Sequence, residues 1–267
     1  FKIDTSRAPN PVVGIQGRID DRRIPVFRHP RRPGEIYFGM IGISYRSTAG
    51  ERRLAVEYTD RFGFHRIERS FAVEIGHFRS ENLQVAPSKA QPRAEDLERI
   101  RREKEAVGRV YARGHPIPLW DGPFQKPLDS ATTSPYGSRR LFNGKLKSYH
   151  SGVDFRASVG TPIQAANAGI VRMTRDLFFS GNHLIIDHGG GIFTSYSHLE
   201  SFLVQPGRHV AKGEPIGLAG ATGRVNGPHL HWGAKVHAVS VNPLDLIEAL
   251  NRLYLDPPPK SPGNPAQ

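Results

Sequence analysis

Cysteine is absent from the 267 residues. This removes disulfides and thiolate metal sites together, and leaves His, Asp and Glu as the side chains able to hold a metal. No apolar run approaches the ~20 residues that a membrane-spanning helix needs. Hydrophobic residues are lean at 37%, and helix-rich segments are few, so an all-α fold is disfavoured. An initiating Met is missing as well. A chain opening on Phe1 reads as processed or trimmed, with any export signal or anchor already removed. The lack of cysteine is compatible with an exported bacterial protein.

Turn-forming and basic residues are plentiful by contrast. The 28 Gly and 22 Pro suit a β-dominated chain with many turns. Lys and Arg number 37 against 25 Asp and Glu, a formal charge of +12, which favours polyanionic surroundings. No RNA-binding aromatic signature or zinc-finger framework accompanies the charge, so no specific nucleic-acid partner is expected. Many of the arginines lie in the first 115 residues, and the excess reads as a property of that region.

The chain divides into four stretches. Residues 1–90 carry short apolar runs separated by Gly, Asp and Ser: Glu35–Ser44, Leu54–Tyr58 and Ser70–Ile75. They read as an Ig-like β-sandwich serving as an accessory domain. Residues 91–115 read as a charged connector helix. Acids follow Pro92, basic residues come later, and Leu97, Ile100, Val107, Val110 and Tyr111 form a partial stripe, with an end expected near Gly108 or Gly114. Residues 116–245 read as an antiparallel β-sheet domain, with strands over Thr161–Met173, Asn182–Asp187, Ile192–His198 and Glu214–Ala219. A short helix is expected over 243–253. Residues 246–267 form a C-terminal tail, Pro-rich from Asp256 and expected to be extended.

The histidines carry the chemistry. His150-Ser-Gly-Val-Asp154 and His229-Leu-His231 have metal-ligand spacing, and His198 lies between them in Ser-Tyr-Ser-His-Leu. Residues two apart on a strand share a face, so His229 and His231 can both address one site, one as ligand and one as catalyst. Four extended residues span about 13 Å, so His150 and Asp154 meet only if the backbone bends; Gly152 between them permits a bend. Three protein ligands leave zinc an open position, the pattern of a catalytic rather than a structural site. The His-Glu-x-x-His helix is missing, so a histidine must replace the usual glutamate base.

These residues stand in a longer series: Ser134-Pro-Tyr-Gly-Ser-Arg139, His150-Ser-Gly-Val-Asp-Phe155, Gly160-Thr-Pro-Ile, Ala168-Gly-Ile-Val, Gly181-Asn-His-Leu-Ile-Ile-Asp-His-Gly189, Tyr196-Ser-His-Leu199, Val210-Ala-Lys-Gly-Glu-Pro-Ile-Gly217 and Gly223-Arg-Val-Asn-Gly-Pro-His-Leu-His-Trp232. Over roughly residues 117–245 the chain resembles the lysostaphin-type, LytM-like zinc endopeptidases of bacterial cell walls. The resemblance implies zinc held by His150, Asp154 and His231, with His198 and His229 as catalytic histidines. It implies hydrolysis of peptide cross-links in peptidoglycan, with peptide stems as partners, in the periplasm or outside the cell. Arg139 and Asn182 are candidate substrate contacts. Asp176–Asn182 departs from the Gly/Tyr-rich stretch of many members and resembles a groove-wall loop. The alternative is a non-catalytic wall-binding or amidase-regulating protein. His183 and His188 read as structural, and the remaining histidines as surface or satisfied core.

Overall fold

The computed structural model describes residues 1–5, 11–20, 22–83, 92–142 and 145–255. Near its start, β1 (Lys2–Asp4), β4 (Phe27–Arg28) and β5 (Ile36–Phe38) make an antiparallel sheet in the order β1-β5-β4. A second sheet, β3-β2-β6-β7, is built from β2 (Val13–Ile19), β3 (Arg22–Ile24), β6 (Gly50–Asp60) and β7 (Gly63–Val73). The Phe1 ring joins the two sheets, occupying the space that side chains would need at Gly17 and Gly39.

Two small sheets thus stand where a sandwich is expected, and they are not sealed from the C-terminal part of the chain. Phe38 belongs to the main core, with Phe27 and Met40 packed against it. Only Ile36–Phe38 of the apolar run Glu35–Ser44 is a strand. Gly42, further along, lies against Val236 and Val239, which accounts for apolar character without strand pairing. β8 (Ser80–Leu83) leaves these sheets altogether and pairs in parallel with β10 (Arg139–Phe142). The expected boundary at residue 90 lies outside the described residues.

Helix α1 (Ala94–Ala112) is a docked element rather than a bare connector. It runs through Gly108, where a glycine costs about 1 kcal/mol relative to alanine. Burial outweighs that cost: Ala106, Val107, Val110 and Tyr111 press on Met173, Ile185 and Phe193. Leu97, expected in the apolar stripe, is 55% exposed.

The remaining strands are β9 (Thr132–Ser134), β11 (Lys145–Tyr149), β12 (Gly152–Arg156), β13 (Pro162–Gln164), β14 (Gly169–Leu177), β15 (Gly181–Gly189), β16 (Ile192–Phe202), β17 (His209–Val210), β18 (Pro215–Ala219), β19 (His229–Val236) and β20 (Val239–Val241). Ten of the described strands form one sheet along the path β17-β14-β15-β16-β19-β12-β9, with β13, β18 and β20 attached. The stretch Thr161–Met173 is two strands rather than one. They part at Ala165–Ala168, where the Ala166 N–H donates to the buried Tyr196 hydroxyl at 3.0 Å. Helix α2 (Pro243–Leu255) closes one end, and its Leu246, Leu250, Leu253 and Tyr254 join the same core as Phe155, Leu230 and Trp232. Each such side chain contributes about 1.5–3 kcal/mol when fully buried. The core therefore continues past residue 245, through the first ten residues of the expected tail; residues 256–267 lie outside the described residues.

Candidate metal centre and groove

Register brings the distant candidate ligands together. Asp154 on β12 pairs directly with His231 on β19, and His231 pairs in turn with Ser197 on β16. His150 sits at the corner between β11 and β12. The bend that joins it to Asp154 is made there and not at Gly152, which already begins strand β12. Gly152 is required for space: a Cβ would lie 2.3 Å from the Trp232 carbonyl oxygen and 2.9 Å from the His231 ring.

Three donor atoms converge. His150 Nε2 lies 2.8 Å from Asp154 Oδ1 and 2.9 Å from His231 Nδ1, and His231 Nδ1 lies 2.8 Å from Asp154 Oδ1. His150 and Asp154 are buried and His231 is nearly so. His150 Nδ1 donates to the Pro135 carbonyl at 2.9 Å, with Ser134 Oγ at 3.1 Å. That leaves the Nε2 lone pair for a metal, the orienting arrangement typical of metal-bound imidazoles. Two imidazoles and one carboxylate, with all donor atoms within 4.8 Å of one another, fit the donor set of zinc. Burial alone would raise the Asp154 carboxyl. The close His150 and His231 imidazoles outweigh it and hold the group well below the usual carboxylate range. Asp154 Oδ2, the other oxygen, accepts from Arg140 Nη2 at 2.8 Å.

His198 and His229 face this triad with their rings 4.8 Å apart. Their outer nitrogens are tied to main chain. His198 Nδ1 donates to the Thr222 carbonyl and His229 Nδ1 to the Gly227 carbonyl, each at 2.9 Å. Both rings therefore present Nε2 to the groove; His229 Nε2 is 3.9 Å from Asp154 Oδ1. His198 has φ of +62°, a left-handed backbone that disfavours non-glycine residues. Its N–H is held by the Ser180 carbonyl at 2.9 Å. Burial, and then the neighbouring His231 and His229, push its pKa down to about 3, so the ring is neutral near pH 7.

The groove has a volume of about 670 Å³, with Arg140, Tyr149, Phe179 and Arg224 among its walls. Arg224 stacks over the Phe179 ring at 4.3 Å, so the loop after β14 does form a wall. Arg139 is exposed and does not line the groove, whereas Arg140 does. Asn182 is also absent from its lining; its amide donates to the Glu200 carbonyl at 3.0 Å, a contact between the neighbouring strands β15 and β16. Sequence reasoning missed Glu81. On β8, it enters the groove wall and accepts from Ser134 Oγ at 2.9 Å, with Arg140 Nε 3.7 Å away. His188 is structural as expected: its Nδ1 donates to the Ala168 carbonyl at 2.7 Å, and Nε2 meets Thr194 Oγ1 at 2.8 Å.

An antiparallel sheet carrying a His-Asp-His donor set, with two further histidines facing it, defines the class of metal-dependent hydrolases. The family model described as Peptidase family M23 matches residues 148–243. A solved chain from Pseudomonas aeruginosa, described as an M23 peptidase, is 30% identical over 93% of this chain and 92% of its own, with a TM-score of 0.68. Curated relatives include the peptidoglycan DD-endopeptidase ShyA of Vibrio cholerae, 42% identical over 45% of this chain and 29% of its own length. The DD-carboxypeptidase/endopeptidase Mpg of Neisseria meningitidis is 38% identical over 43% of this chain and 26% of its own. The matches thus span less than a third of these curated relatives. The chain belongs to peptidase family M23.

Proposed function

We propose that the chain is a zinc endopeptidase that hydrolyses peptide cross-links of bacterial peptidoglycan, acting in the periplasm or outside the cell. The observation that carries this reading is the convergence of His150 Nε2, Asp154 Oδ1 and His231 Nδ1 beneath two histidines that both present Nε2. Family membership and the activities for which ShyA and Mpg are named support the substrate class.

His150, Asp154 and His231 would hold the ion. Bound there, zinc supplies Lewis acidity toward the scissile carbonyl and lowers the pKa of water toward 7. The chain's own groups do the rest. The tethered Nδ1 atoms leave the Nε2 atoms of His198 and His229 free to accept a proton from the attacking water. Once protonated, the same nitrogens can hydrogen-bond the developing oxyanion or protonate the departing amine. The walls around Phe179, Arg140 and Arg224 orient the peptide.

The test pairs metal content with released muropeptides. Wild-type protein should bind equimolar zinc and solubilise purified sacculi. His231→Ala should lose both properties. His198→Ala should keep zinc and lose turnover by about 10²–10⁴-fold. Undiminished turnover in His198→Ala would sink the mechanism. Zinc binding by wild type without any released muropeptide would favour a wall-binding or amidase-regulating role.

A further inference from the structure

A second cavity, of about 360 Å³, adjoins the metal triad beneath helix α1. It abuts the groove: Ser151, Phe179, Ser180 and His231 line both. Its floor is one face of the sheet. On β19 the residues at alternate positions are His231, Gly233 and Lys235; opposite them on β16 stand Ser197, Ser195 and Phe193. Helix α1 covers the apolar part of this face, at Met173, Ile185 and Phe193. The polar part, with Ser195, Ser197, His183, Gly233 and Lys235, is left as the cavity floor.

The helix is a fixed wall. Tyr111 meets Phe193 edge-on at 5.2 Å, and the buried Glu103 carboxylate accepts from the Phe178 N–H and from Arg99. That carboxylate is therefore already paired and does not set the sign of the cavity. Lys104 from the helix and Lys235 from the sheet line it as cations. The Lys235 ammonium donates to Ser240 Oγ at 2.8 Å and the Ala238 carbonyl at 3.3 Å, and lies 4.9 Å from the Tyr111 ring centroid. An ammonium has three donors, so one remains for a ligand. His183 supplies an independent sign of an occupant. It is 7% exposed, its Nδ1 meets Ser197 Oγ at 2.8 Å, and its Nε2 has no hydrogen-bond partner. A buried polar atom left unpaired is costly, and His183 is one of the residues that line the cavity.

We infer that this cavity is a substrate subsite for a short peptide end with a free carboxylate, which Lys235 reads. The proposal rests on the peptidase reading and adds an activity to it, the trimming of chain ends. His231 and Lys235 are four residues apart on a strand, about 13 Å. Allowing for the reach of the lysine, about three substrate residues fit between the reacting carbonyl and the terminal carboxylate. Hydrolysis forms a carbon–oxygen bond from water and breaks the carbon–nitrogen bond. The leaving amine takes a proton and departs as a short peptide whose carboxylate stays on Lys235 until release. Ser195, Ser197 and His183 line the path of the peptide between.

The zinc-loaded full chain is assayed on a wall-derived peptide ending in a carboxylate and on the same peptide as its carboxamide. Wild type should prefer the acid by about tenfold or more, the equivalent of one charge-assisted hydrogen bond. Lys235→Met should abolish the preference through KM while leaving hydrolysis of the carboxamide and zinc content unchanged; Lys235→Arg should keep much of it. Equal hydrolysis of acid and amide by wild type would overturn the subsite and leave the endopeptidase reading standing. A turnover-free arm separates the two: calorimetric titration with N-acetyl-dialanine and its carboxamide. Binding of the acid alone, with no hydrolysis of any wall peptide, would overturn the peptidase reading and the trimming with it, and keep the cavity as a carboxylate-binding site. Absence of binding by either compound would overturn the subsite whatever the turnover.

Discussion

At the scale of single residues, the site depends on groups that never touch a metal. The outer nitrogens of His150, His198 and His229 all donate to main-chain carbonyls, those of Pro135, Thr222 and Gly227. These bonds select one tautomer for each ring and aim Nε2 inward. Arg140 does the equivalent for Asp154 by engaging Oδ2 and leaving Oδ1 among the imidazoles. Arg140→Gln should weaken zinc binding by about 10–100-fold, the usual effect of losing an orienting partner, while Arg139→Gln should leave it unchanged. Competition with a chromophoric chelator measures both; equal zinc affinity in Arg140→Gln and wild type would remove Arg140 from this role. The five positions His150, Asp154, His198, His229 and His231, which the fold brings to one groove, are legible because their spacing and flanking motifs survive in linear sequence. The choice between Arg139 and Arg140 is not. Neighbours on a strand face opposite sides, so a one-residue ambiguity reverses which arginine reaches the groove. Gly152 shows the same limit. The sequence suggests flexibility at a glycine, whereas the fold needs the room that a missing Cβ leaves beside His231.

At the scale of elements, α1 is the piece whose role changes most between sequence and structure. Its charge pattern announces a helix within residues 91–115, and Ala94–Ala112 is helical. Its docking depends on Met173, Ile185 and Phe193, which stand on three different strands. No local periodicity reports a pairing over such separations. Glu103 ties the two levels together. It is 7% exposed, takes Arg99 on one oxygen and the Phe178 N–H on the other, and so anchors the start of the loop that walls the groove. Glu103→Ala leaves that N–H and the Arg99 guanidinium without their partner and should destabilise the fold by about 1–3 kcal/mol. Glu103→Gln keeps an acceptor for Phe178 and should lose less. Thermal unfolding of the two variants gives the comparison. An alanine variant as stable as wild type would show that the contact is replaced by water at no expense.

At the scale of the whole molecule, the N-terminal region and the catalytic sheet share apolar contacts instead of meeting at a polar linker. Phe38 is 3% exposed within the main core, and Phe27 and Met40 flank it. Arg31 donates to the Tyr254 carbonyl at 2.6 Å, and the Tyr45 ring stacks on Tyr149, next to His150 in sequence, at 5.2 Å. β8 adds a parallel strand to β10 and brings Glu81 into the groove wall. Separate domains joined by a connector would unfold in independent steps, whereas elements that share a core unfold together. Calorimetry of the intact chain should accordingly show one transition spanning both regions. Phe38→Ala opens a cavity in the shared core and should cost about 3–5 kcal/mol. Because that core also carries Phe155, Leu230 and Trp232 on the strands that hold Asp154 and His231, the loss should lower the temperature at which zinc is released, although Phe38 lies more than 100 residues from any ligand in sequence. Two resolved transitions, with only the first moved by Phe38→Ala and zinc release following the second, would show that the shared contacts do not couple the regions.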